Sequence, residues 1–191
     1  MTNIVLLGGN GYIGRYTTEN WLKKDKTANF YVISRSGNNK LKHPNLYNYQ
    51  ADVTDYQAVR KLLPEKIDYI IDFIGRPEKD AAKFKQVNNL PAEVMLKIAK
   101  EKQVKAMGFI GGQLGPKSFL EGKQKIGSQL QASGIPTVIV EPTVVYGGDR
   151  SDALAKLVPV FKVLGLFVKN MKPVHVDQVS NEMVSKMTAI N

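Results

Sequence analysis

The sequence predicts an α/β fold: one doubly wound parallel sheet with helices on both faces. Three observations predict it. Short apolar or β-branched runs alternate with helical patterns from end to end, which is how consecutive βαβ units read. One run, Tyr69-Ile70-Ile71-Asp72-Phe73-Ile74, is apolar at nearly every position, as a strand covered on both faces must be. The first run, Ile4-Val5-Leu6-Leu7, passes directly into the glycine turn Gly8-Gly9-Asn10-Gly11-Tyr12-Ile13-Gly14, which opens a helix. The chain has 191 residues, 43% of them apolar, enough for one domain with a substantial core. A single domain over 1–191 is therefore expected, with residues from about 148 onward as a small C-terminal, substrate-side segment.

The elements follow in order. A helix is expected over 12–24, a second strand over 30–34 and a short third strand over 46–51. Thr54 or Asp55 would cap a helix over 56–63, which Pro64 ends. The fourth strand covers 67–74. Residues 80–102 read as helical, with Pro91 marking a kink or restart near Asn88-Asn89. A fifth strand over 104–110 ends in Gly111-Gly112. A helix over about 118–131 precedes Gly134, a plausible C-terminal stop. The sixth strand, 137–140, runs into Glu141-Pro142-Thr143-Val144-Val145-Tyr146-Gly147. A helix over 151–163, broken by Pro159, and a last helix over 178–189 complete the chain. With right-handed crossovers this is a Rossmann fold of strand order 3-2-1-4-5-6.

The glycine turn has a chemical reading. Gly9-x-Gly11-x-x-Gly14 and the wider Gly8-x-x-Gly11-x-x-Gly14 both fit the dinucleotide fingerprint, with Asn10, Tyr12 and Ile13 between them. One glycine lets the chain turn off the strand, one lets backbone N–H groups approach a diphosphate, and one lets helix and strand pack closely. The open helix start then faces the phosphates. No acidic residue closes the second strand; Ser34, Arg35 and Ser36 stand there instead. A cation flanked by two hydroxyls suits the extra phosphate of NADP(H), which is favoured over NAD(H). Asp52 and Val53 end the third strand, where an adenine amino group would lie; Asp52 as a turn residue capping the next helix is the plainer alternative. Gly75 ends the fourth strand, where backbone must pass close to a cofactor. Asp72 is either a buried, hydrogen-bonded structural group or a side chain pointing into a pocket.

Composition removes other classes. There is no cysteine, so disulfides, thiol catalysis and cysteine-held metals are excluded. Two separated histidines do not make a metal cluster. No Gly-Lys-Ser/Thr follows the glycines, and no serine elbow is present. The net charge is +10, but the lysines are dispersed, so no nucleic acid partner is expected. With no basic and apolar leader and no long apolar run, a cytoplasmic location is expected. Residues 156–169, apolar with flanking lysines, either lie on an anionic membrane or a protein partner or close over the substrate side of the sheet. The substrate and the oligomeric state are not set by the sequence.

Several landmarks fall in order: the glycine turn, Asp52-Val53, the strand ending at Gly75, Val87-Asn88, Val145-Tyr146-Gly147 and Pro173-Val174-His175-Val176-Asp177. Together they resemble the NAD(P)-binding short-chain dehydrogenase/reductase superfamily in its extended and atypical branches, the epimerase/dehydratase-like proteins. Within it, Ser34-Arg35-Ser36-Gly37 and Ile74-Gly75-Arg76 look most like an atypical group that includes the accessory NADPH-binding subunit of respiratory complex I. Members of that group often hold NADPH without an established reaction. The resemblance implies that Ile74, Gly75 and Arg76, with Pro142, Thr143 and Val144 after the sixth strand, also line the cofactor site.

Active members of the superfamily use a serine at the end of the fifth strand and a Tyr-x-x-x-Lys on the next helix. The tyrosine exchanges a proton with substrate, and the lysine lowers its pKa and holds ribose hydroxyls. Here Gly111-Gly112 offers no serine, the lysine maps to Lys123 (with Lys125 nearby), and Phe119 occupies the tyrosine position. Glu141 stands where an arginine usually precedes the proline. The resemblance thus implies an NADP(H)-binding protein with weak or no catalysis. The alternative is an oxidoreductase or epimerase on a small or sugar-like carbonyl compound with an unconventional acid. Lys123 and His175 are the catalytic candidates, and Asp72 is a further possible acid; a lone histidine is more often structural.

Overall fold

The computed structural model describes residues 1–150, 158–159, 161 and 171–190. Six strands form one parallel sheet: β1 (Asn3–Leu7), β2 (Asn29–Ser34), β3 (Leu46–Gln50), β4 (Tyr69–Asp72), β5 (Ala106–Ile110) and β6 (Thr137–Val140). Their spatial order is β3-β2-β1-β4-β5-β6, the doubly wound order expected. The central strand shows why its sequence is apolar throughout. Ile4 and Leu6 join one core and Val5 and Leu7 the other, and all four are fully buried.

The first core packs β1, β2 and β4 against α1 (Tyr12–Lys24) and the last helix, α6 (Val176–Thr188), through Trp21, Val179, Met183 and Met187. The second packs the opposite face against α2 (Tyr56–Arg60), α4 (Leu90–Lys102) and α5 (Lys117–Gln131), through Val59, Met95, Ile98 and Ile126. A small second sheet pairs β7 (Val145–Tyr146) with β8 (Val174–His175) in parallel, joining the two late landmarks of the sequence.

Most boundaries fall within two residues of expectation; four places show a local reason for a difference or a choice. Helix α2 ends at Arg60, short of 63; its cap is Asp55, one of the two expected, whose side chain accepts from the N–H groups of Gln57 and Ala58. Strand β4 is limited to Tyr69–Asp72, because Asp72 takes its own turn by accepting from Ile74 N at 2.8 Å. The helical stretch before Lys102 is three pieces: α3 (Ala81–Phe84), a π-helical turn (Lys85–Asn89) and α4, with Pro91 in the first turn of α4 where its missing N–H costs nothing. Helix α6 begins at Val176 because His175 caps it. The helix expected over 151–163 falls mostly outside the described residues.

Candidate functional site

The carboxyl ends of the parallel strands open into two clefts that meet at the glycine turn. The turn owes its shape to its glycines. Gly8 has φ +72°, in the left-handed region, and its N–H donates to Ile33 O at 2.8 Å, tying the turn to β2. A Cβ on Gly14 would lie 2.6 Å from Gly9 Cα, so α1 can approach the turn only with glycine there. Gly11 is the N-terminal flank of α1, no side chain caps it, and the first turn carries no acidic residue. The first N–H groups of α1 are therefore left to a ligand or solvent. These features fit a diphosphate: a backbone cradle, a helix start and no competing side-chain cap.

The first cleft, of about 430 Å³, is lined by Gly8, Asn10, Ser34, Arg35, Ser36, Asp52, Val53, Ile74 and Arg76, and by Thr54, Gln86, Val87 and Pro91. Asn10 holds its near wall: its side-chain amide donates to Ser36 Oγ at 3.0 Å and to Asn38 O at 2.8 Å. Ser34 Oγ accepts from Gly37 N at 3.1 Å, which curls the chain after β2 and leaves Arg35 exposed at the rim. Across the cleft Asp52 is held below the usual carboxylate range. Hydrogen bonds from the backbone and hydroxyl of Thr54 are the main cause, with the Arg35 cation contributing. Arg76 pairs with Glu78 at 2.7 Å.

The second cleft, of about 380 Å³, is lined by Gly11, Tyr12, Ile13, Gly14 and Arg15, together with Lys40, Phe73, Asp149 and Arg150. Arg15 and Lys40 each reach Asp149 at 3.0 Å. Their hydrogen bonds, Arg15 first, hold the Asp149 carboxyl well down, at about 2.

Behind the end of β4 lies a group of three buried polar residues, Asp72, Asn88 and Lys123. Lys123, 4% exposed, donates to Ile74 O at 3.2 Å and sits 4.0 Å above the Phe109 ring. Asn88, on the π-helical turn, bonds both the N–H and the carbonyl of Arg76, at 3.1 and 3.0 Å. A Cβ on Gly75 would meet Lys123 Nζ at 2.7 Å and Asn88 Oδ1 at 2.8 Å. Asp72 is fully buried; one oxygen accepts from Ile74 N and the other, Oδ2, has no hydrogen-bond partner. Burial pushes Asp72 up to about 6, against the pull of Lys123. Burial likewise brings Lys123 down to about 8, opposed by Asp72.

The remaining candidates lie elsewhere. His175 lines neither cleft: its Nδ1 accepts from Asp177 N at 3.3 Å, and its ring meets Tyr146 edge-on at 5.3 Å. It is placed as the cap of α6. Pro142, Thr143 and Val144 also line neither cleft; Thr143 Oγ1 donates to Lys172 O at 2.5 Å and Val144 O accepts from Val174 N at 2.9 Å, so the segment anchors β8. Phe119 packs edge-on against Phe84 with ring centres 6.4 Å apart. Of the lining residues that sequence reasoning missed, Arg15 had a signal, standing on the first turn of α1 just past the third glycine. Gln86 and Lys40 had none, because only the folded chain brings them to the turn. Among the described residues no group of three or more His, Asp or Glu could hold a metal, and no helix is long and apolar enough to cross a membrane.

Comparison with known proteins adds the following. A profile described as the NAD dependent epimerase/dehydratase family matches residues 4–116, more than half of the chain. No curated protein matches the sequence. Among solved structures, the Bordetella bronchiseptica enzyme WbmH in complex with NAD+ is similar at 17% identity with a TM-score of 0.76, covering 100% of this chain and 73% of that one. The dTDP-glucose 4,6-dehydratase of Bacillus anthracis in complex with NAD is similar at 16% identity and TM-score 0.72, covering 95% and 70%. A short chain dehydrogenase family protein from Francisella tularensis gives 17% identity and TM-score 0.70, covering 98% and 91%. At such identities these likenesses carry the fold alone.

Proposed function

The chain belongs to the NAD dependent epimerase/dehydratase family, and from that premise we propose that it holds a nicotinamide dinucleotide on its glycine turn, NADP(H) in preference to NAD(H), with weak or no conventional catalysis. The observation that carries this reading is the pairing of an open glycine cradle with a first cleft rimmed by Ser34, Arg35 and Ser36. The diphosphate would take the backbone N–H groups after Gly11, and the adenosine end would enter the first cleft between Arg35 and Asp52. The guanidinium is a fixed cation with a planar fork, suited to a phosphate on the adenosine ribose. The bound dinucleotide would supply a hydride donor or acceptor. The chain offers no tyrosine at Phe119 and no serine at Gly111-Gly112 to exchange the accompanying proton. A role as an NADPH-holding subunit or sensor, of the kind the complex I accessory group represents, accords with that pairing.

Affinity measured for both cofactors tests the reading. NADPH is expected to bind more tightly than NADH. Arg35→Ala should weaken NADPH by roughly tenfold to thirtyfold, the loss of one charge-assisted contact, and leave NADH nearly unchanged. Equal loss for both cofactors, or tighter binding of NADH by the unaltered protein, overturns the preference.

A second reading is favoured by one observation, the buried Lys123 brought down to about 8. An ammonium in that range can give up a proton near neutral pH, and a chain using it so would be an oxidoreductase or epimerase; here the ammonium donates to Ile74 O and would have to turn toward the cleft to do so. Oxidation of NADPH by a carbonyl substrate, abolished in Lys123→Ala, is the expected result; turnover unchanged in that variant removes the reading.

A further inference from the structure

We propose that residues 77–87 form a flap beside the first cleft, held shut by the Phe84 ring in a notch on α5 at Gly122, and that release of this latch sets how fast a ligand enters and leaves. The identity of that ligand as a dinucleotide rests on the function proposed above; the flap itself rests on packing. The chain leaves β4 through Gly75, whose φ of +150° is one that other residues rarely adopt. It returns through the π-helical turn into α4. Between these ends little of it is packed: Lys79 to Lys83 are all exposed, and α3 has no buried residue. Segments with so few buried apolar side chains open at low cost. Gln86 and Val87, at the returning end, line the first cleft, so a movement of the segment moves that cleft's wall.

The base and the tip of the segment are held by different means. At the base, Asn88 is fully buried, bonds the N–H and carbonyl of Arg76, and also donates to Phe84 O at 3.2 Å. A loop of this length with its ends tied together is a compact unit. At the tip, Phe84 is the one residue of α3 that is not exposed. A Cβ on Gly122 would lie 2.3 Å from Phe84 Cζ and 2.7 Å from Cε1, so the ring rests on the backbone of α5 where glycine leaves a notch. Phe119, one turn earlier on α5, meets the same ring edge-on. The phenylalanine that stands where the resemblance expects tyrosine therefore forms one side of the notch. The π-helical turn begins directly after Phe84. Such turns are rare and cluster at functional sites, and this one joins the latch to the cleft wall.

The test uses the full chain and two measurements. The sequence has no cysteine, so Val53→Cys places a single thiol in the lining of the first cleft, and its reaction rate with a bulky maleimide reports access without any cofactor. Stopped-flow mixing with NADPH reports entry and release. Phe84→Ala should speed thiol labelling by about tenfold, the worth of one aromatic edge contact. NADPH association and dissociation should quicken together by a similar factor, which leaves Kd within about twofold, as a gate requires. Gly122→Ala should act in the same direction, although alanine for glycine inside a helix is ordinarily stabilising. In a Phe84→Ala background it should speed nothing further, because no ring is left to displace. Labelling unchanged in both single variants overturns the proposal. Faster labelling with both NADPH rates unchanged, or with dissociation alone faster, also overturns it, since the segment is then a fixed wall. If labelling quickens while NADPH binds to none of the proteins, the gate stands and the dinucleotide function falls.

Discussion

The two ends of the sheet mouth are built from different materials. At the β1–α1 turn the groups offered to a ligand are backbone N–H groups, with Ser34, Arg35 and Ser36 beside them. At the β5–α5 end the corresponding positions carry glycines, Phe119 against Phe84, and a lysine drawn inward to Ile74 O. A backbone cradle works through conformation, which glycine spacing alone encodes. A proton-transfer site works through particular side-chain atoms, and replacing Tyr by Phe removes the atom while keeping the packing. A glycine turn and a set of proton-transferring side chains can therefore vary independently in one chain.

The sharpest way to break the first region is Gly14→Ala. The added Cβ would stand 2.6 Å from Gly9 Cα and 2.7 Å from Gly9 O, contacts that backbone cannot yield cheaply. A loss of about 3 kcal/mol is expected, together with loss of dinucleotide binding, read by thermal melting with and without NADPH. Unchanged melting would mean the turn relaxes and the cradle is not tightly built.

The second region is sharpened by Lys123→Met. It leaves Asp72 buried without its cation, at a cost of about 3 kcal/mol near pH 8. The direction with pH follows from Asp72, whose folded pKa is already raised, from 3.8 to about 6, and rises further without the lysine that lowers it. A raised carboxyl pKa favours the folded state fully below the unfolded value and loses that contribution as pH rises through the folded value. The variant should therefore suffer more at pH 8 than at pH 5, and adding Asp72→Asn should restore stability to within about 1 kcal/mol of the unaltered protein. A pH-independent deficit would show that Lys123 contributes packing rather than charge. The smallest effect is expected from His175→Ala. Losing the cap of α6 should cost about 1 kcal/mol and leave NADPH affinity unchanged. A large fall in affinity would return His175 to the site.

Legibility in the sequence followed the length scale of the cause. The sheet order, α1 and the approximate positions of the six strands of the main sheet could be read because apolar runs and glycine spacing are local; the short β7–β8 pair was not read as strands. The cap of α2 was narrowed to Thr54 or Asp55, since both residue types suit the role, and hydrogen-bond geometry decides for Asp55. The interruption near Asn88-Asn89 was legible from Pro91, but its π-helical form was not: Asn88 bonds the backbone N–H and carbonyl of Arg76, a partner 12 residues away. Arg15 was visible as a residue on the first helical turn, but its partner Asp149 is 134 residues distant.

By itself, then, the sequence determined the doubly wound sheet and the turn that opens α1, and it placed Phe119 and Gly111-Gly112 where the resemblance expects tyrosine and serine. These are matters of period, spacing and residue type. The tertiary structure decided which charges face one another: Asp149 against Arg15 and Lys40, Asp72 against Lys123, and His175 at the start of α6. Electrostatic energy depends on separation in space and on burial, and neither is fixed until the chain has folded.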